Sequence, residues 1–128
     1  MADVELFPFL AVRDVDAAVA FYCEAFGAVE EGERIAIPDG RQAAVLRIGD
    51  RRLGVATEDG NTQTRSPESL GATTVRVSLH VDDPDAVQAR AIEAGATEMF
   101  PVTDQPYGLR QGRVVDPSGH HWLIARDL

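Results

Sequence analysis

One cysteine, Cys23, stands in the whole chain, so no internal disulfide can form. It lies in "AFYCEAF", a helical pattern, and is expected to be a small core residue with nothing beside it in sequence to activate a thiolate. No apolar run approaches the roughly 20 residues that a bilayer crossing needs. The opening "MADVELFPFL" lacks a basic flank and has too short a hydrophobic stretch for a secretory signal. These absences together lead to the expectation of a cytoplasmic protein. Positive charge is scarce as well: 12 Lys and Arg face 21 Asp and Glu, a formal net charge of -9. Such a surface repels nucleic acid and anionic lipid, and neither is expected as a partner.

What is present is globular. The chain has 128 residues, of which 45% are hydrophobic, enough for one domain or for two half-domains sharing a core. The second arrangement is written in the sequence. "VRDVDAAVAFYCEAFGA" is echoed by "VDDPDAVQARAIEAGA", with Asp14 matching Asp83 at a shift of 69 residues. "IGDRRLGVA" is echoed by "PSGHHWLIA" at the same shift. Each half reads as strand, helix, strand, strand, strand, an α+β pattern of two βαβββ modules within one structural domain. The modules span residues 1–60 and 74–128, and the turn-rich stretch at 61–73 links them. Asp14 and Asp83 are placed to cap the two helices, Pro84 sits at a favoured first position, and Gly27 and Gly95 end them.

Alternation assigns the faces of the strands. In "TVRVSLHV", Val75, Val77, Leu79 and Val81 form an apolar side for a helix, which leaves Thr74, Arg76, Ser78 and His80 on the open side. In "ELFPFLAVR", Leu6, Leu10 and Val12 take the helix side, and Glu5, Phe7, Phe9 and Ala11 the open side. Two phenylalanines on an open face either line a cavity for a planar ligand or fill a second core layer or subunit contact. The adjacent His120 and His121 cannot enter one site, because strand neighbours point apart. Trp122 is expected in the core and His121 on the open face.

The motifs "AVRDVDAAVAFYCEAFGA" and "PYGLRQGRVVDPSGHHWLIA" resemble the vicinal oxygen chelate superfamily, in its glyoxalase/bleomycin-resistance branch and among its PhnB-like relatives. The resemblance implies paired curved sheets around a cleft, with the helices on the outer face. It also implies a homodimer, module-swapped in one of its forms. In metal-dependent members, four inward strand positions supply the ligands. Those positions carry Phe7, Gly54, Arg76 and Leu123 here, none of which binds a divalent ion, and no metal or other cofactor is expected. Ala43 stands where many PhnB-like sequences have a histidine.

The expected function is therefore a metal-independent small-molecule binding protein that sequesters an aromatic antibiotic or metabolite. Its expected ligand contacts are Phe7, Phe9, Gly54, Arg76, Ser78, His80, Tyr107, Arg110, His121 and Leu123, with Phe100 as a further stacking candidate. The alternative is a metal-dependent lyase, isomerase or dioxygenase with relocated ligands at His80, His121 and Glu5. A metal-free enzyme using His80 or Tyr107 as acid or base, with Arg76 stabilising charge, stays beside it. Arg110 and Arg113 have a second reading, as loop-shaping partners of Asp104 or Asp116, and Tyr107 and Gly108 are expected in a turn over the cleft.

Overall fold

The structure is a computed structural model that describes residues 3–128. Its order is β1 (Phe9–Val12), α1 (Val15–Phe26), β2 (Val29–Ala36), β3 (Gln42–Ile48), β4 (Arg51–Thr57), a short α2 (Pro67–Leu70), β5 (Arg76–His80), α3 (Pro84–Glu93), β6 (Thr97–Asp104), β7 (Leu109–Val115) and β8 (His121–Asp127). Two four-stranded mixed sheets result, ordered β1-β4-β3-β2 and β5-β8-β7-β6. In each, the fourth strand of the module returns to lie parallel to the first, and the other pairings are antiparallel. Even the register repeats: Phe9 faces Gly54 in one sheet, and Ser78 faces Leu123 in the other, both displaced by 69 residues. The α+β reading as two βαβββ units is the observed architecture.

Local chemistry explains the helix ends. The Asp14 carboxylate accepts from the backbone N–H of Ala17 at 3.1 Å, and Gly27 closes α1 at φ 69. Asp83 does the same for Ala86 at 3.1 Å, with Pro84 in the first turn. There α3 ends one residue earlier than a glycine stop would give: Ala94 is the cap, and Gly95 follows at φ 123. The first strand is shorter than "ELFPFLAVR" suggests, since ladder pairing starts only at Phe9. Pro8 has no N–H for a ladder, although its carbonyl accepts from Gly54 N–H at 2.8 Å.

The helices bury their apolar stripes against both sheets in one continuous core. Trp122 on β8 lies at its centre, 1% exposed, with its ring 4.7 Å from Phe26 and 5.4 Å from Tyr22, both on α1. The two modules are joined by polar bonds as well. His120 is almost fully buried and its Nε2–H donates to the Ala11 carbonyl at 2.8 Å. Glu68 N–H of α2 donates to the Ser118 carbonyl at 3.1 Å. Gly119 permits that approach, because a Cβ there would lie 2.7 Å from Glu68 N, and its φ is 88. Cys23 is half-buried against the core. Among the described residues, no helix is long and apolar enough to cross a membrane.

Candidate functional site

One hollow opens on the second sheet. Trp122, Ile124 and Val114 turn toward the helices, so their neighbours His121, Leu123 and Arg113 turn to the other face. Arg76 and Ser78 on β5 pair beside His121 and Leu123 on β8, and Arg113 on β7 pairs with Leu123 and, across β6, with Phe100. The resulting cavity is about 350 Å³. Arg76, Arg113, Phe100, Leu123, Gln111 and Thr103 line it, and the β6–β7 turn closes one side with Gln105 and Tyr107. Tyr107 is 62% exposed, and its hydroxyl donates to Gln111 Oε1 at 2.6 Å. Gly108 takes φ 89 in that turn.

His121 orders this wall. Its Nδ1 lies 3.0 Å from Arg113 Nε and 2.8 Å from Arg113 Nη2. A guanidinium only donates, so Nδ1 accepts and the ring proton sits on Nε2. Burial, then the Arg113 charge, push the His121 pKa down, with His120 and Arg76 adding to the effect and Asp116 opposing it. The imidazole is held neutral as a support for Arg113.

The other expected contact residues are distributed elsewhere. Phe7 and Phe9 stand together on the first sheet, ring centroids 5.7 Å apart, with Phe9 53% exposed. Phe9 lies flat over Gly54, where an added Cβ would meet the ring at 2.4 Å. It borders a separate hollow of about 490 Å³ with His120, Leu70 and Val75. Ser78 and His80 open on a third, of about 670 Å³, at the junction of the modules with Leu6, Phe26, Leu53 and Trp122. Arg110 is not on the wall of the second-sheet cavity. It turns to the helix side and binds Asp85 of α3 at 2.7 and 2.8 Å and Asp104 at 3.0 Å. Those bonds hold its pKa above the ordinary arginine value and pull that of Asp85 down. Arg113, in contrast, has no carboxylate partner among the described residues: Asp116 is taken up by Tyr22, Trp122 and two backbone N–H groups.

Both arginines are expected from sequence as loop-shaping partners of Asp104 or Asp116; Arg110 makes the Asp104 bond, and Arg113 instead lines the cavity. The signal that separates them is parity. Val114 faces the core, so 110, 112 and 114 share the helix side, and 111, 113 and 115 the open side.

The residues do not suit a divalent ion. At the four positions where the resemblance implies ligands stand Phe7, Gly54, Arg76 and Leu123, and Phe9 covers Gly54. Of the relocated set, His121 has given its free lone pair to Arg113, and Glu5 is paired with Arg52 at 3.2 Å. Among the described residues, no three His, Cys, Asp or Glu side chains come together in a metal-sized group.

The chain is similar to known proteins. An uncharacterised protein of Mycobacterium bovis is 42% identical over 129 residues, covering 96% of this chain and 83% of that one. The crystal structure of TioX from Micromonospora sp. superimposes with a TM-score of 0.75 at 33% identity, covering 98% of this chain and all of that one. A gene product of Arabidopsis thaliana gives a TM-score of 0.72 at 25% identity over 98% of each chain. Residues 5–124 match the family described as the glyoxalase/bleomycin resistance protein/dioxygenase superfamily, and to that superfamily the chain belongs.

Proposed function

We propose that this protein binds an organic small molecule without a metal and sequesters it, the ligand being an aromatic antibiotic or metabolite. The observation that carries the reading is the cavity on the second sheet. Its volume of about 350 Å³ falls at the lower end of the range for small-ligand sites. The exposed rings of Phe100 and Tyr107 offer stacking surface there. Superfamily membership supports the reading, as does the absence of chelating side chains at the four inward positions.

The proposal includes a cytoplasmic location and a homodimer. Phe9, Leu70 and Val75, each more than half exposed, border one hollow, and burying them against a second copy removes apolar surface from water. Light scattering at micromolar concentration tests this, with a monomer mass counting against it.

Calorimetric titration of metal-stripped protein with a varied panel of planar aromatic compounds tests the binding function. Saturable one-to-one binding that chelator leaves unchanged is expected. Binding that appears only after a divalent metal is restored would favour the metal-dependent enzyme instead.

A further inference from the structure

The second-sheet cavity is unusual in its charge. The protein carries a net charge of -9, yet among the described residues no Asp or Glu lines this hollow, while two arginines do. Among the described residues, neither Arg76 nor Arg113 makes an ion pair, whereas Arg110, three positions away, makes two. The Arg113 guanidinium meets the His121 ring, and Arg76 is the register partner of His121 on the neighbouring strand. That neutral ring grips Arg113 through two of its donors and fixes its plane.

Two cations on one partly apolar wall repel each other and await an anion. A guanidinium presents parallel donors that match two oxygens on one carbon or on neighbouring carbons.

From this placement we infer that the cavity selects a planar organic anion, an aromatic carboxylate or ortho-hydroxycarboxylate, clamped by Arg76 and Arg113. Phe100 and Tyr107 cover the ring of the ligand. The inference rests on the small-molecule reading above and adds the class of ligand. His121 is a positioning residue in this scheme, since it acts through Arg113.

The test uses salicylate as probe, with salicylamide as its neutral counterpart and a planar cation, ethidium, as the third ligand. Calorimetry is run on the full chain at pH 7.5 and low salt. Salicylate is expected to bind at least about tenfold tighter than salicylamide, a modest figure for one charge-assisted bidentate contact. Arg76→Gln and Arg113→Gln are each expected to lose that preference, while Arg90→Gln, on the exposed face of α3, keeps it. Arg113→Lys keeps the charge without the paired donors and should recover only part of the preference. Circular dichroism melts confirm that each variant is folded. His121→Leu should weaken salicylate and leave salicylamide unchanged, a split that general destabilisation would not produce. Equal binding of salicylate and salicylamide, or tighter binding of ethidium, overturns the anion inference and leaves the small-molecule reading standing. Failure of all three probes to bind overturns the inference, and the broader aromatic panel then decides the small-molecule reading separately.

Discussion

The Tyr22 hydroxyl donates a hydrogen bond to Oδ2 of Asp116, joining the helix of the first module to the turn before the last strand of the second. The Trp122 indole N–H donates to the same oxygen at 2.9 Å, and the N–H groups of Ser118 and His120 donate to Oδ1. Asp116 is 4% exposed, so four donors replace the water it gives up. The "DPSG" turn thereby acts as a polar joint at the centre of an apolar core.

Tyr22→Phe should destabilise the fold by about 1–3 kcal/mol, because one strong bond is lost while Asp116 keeps three others. Asp116→Ala should cost more, as it strands several buried donors at once. Urea unfolding at pH 7 measures both. The joint also has an alkaline signature. Burial, followed by the Asp116 charge, raises the Tyr22 pKa well above 10. The unfolded chain therefore releases this proton first, and stability falls as pH rises past 10. Tyr22→Phe should flatten that fall.

His121 predicts a response on the acid side. Its pKa is lowered by burial and by Arg113, so between its folded value and the ordinary 6.5 the unfolded chain holds more protons. Stability from this group is complete above 6.5 and is lost as pH falls through the folded value. Proton NMR titration should show one histidine below the ordinary range. That signal should move back up in Arg113→Gln. A His121 that titrates normally in the unaltered protein would mean that the contact with Arg113 is not made in solution.

Gly112 and Gln88 form a steric pair. Gln88 is 2% exposed and its Nε2 donates to Glu98 Oε1 and the Phe100 carbonyl, while Oε1 has no hydrogen-bond partner among the described residues. A Cβ on Gly112 would lie 2.2 Å from that oxygen. Gly112→Ala should cost about 1–3 kcal/mol by overpacking, and Gln88→Ala should recover part of it in the double variant. Strictly additive costs in thermal melts would refute the contact.

Gly119→Ala should be harsher than an ordinary surface change. The new methyl meets backbone at Glu68 N rather than a mobile side chain, and the residue must hold φ 88. A loss of about 2–4 kcal/mol is expected from strain and from the separation of α2 from its turn, readable as a lowered denaturation midpoint. No second substitution at a side chain should rescue it.

Much of the fold was legible because it rests on local rules applied twice. Asp14 and Asp83 are short acceptors placed ahead of alanine-rich runs, and both cap helices. Alternation in "TVRVSLHV" separates Val77 and Leu79 from Arg76 and Ser78, as the strand does. Trp122 and His121 were likewise divided correctly between core and open face. What the local rules could not supply was the relation between surfaces. Phe9 and Arg76 both leave the open side of a first strand, yet they border different hollows. Pro8 shortened β1 because ladder pairing depends on a partner strand. Arg110 and Arg113 share a motif and differ by parity, so the faces they occupy follow from the pairing of β7 to β8.

The cations on the second-sheet wall are tethered by covalent bonds. A dissociable ion is supplied by the surroundings and can be stripped by a competing ligand or by scarcity. Arg76 and Arg113 are delivered by the ribosome with every copy of the chain. The charge of that hollow is therefore stoichiometric from the moment of folding and indifferent to EDTA.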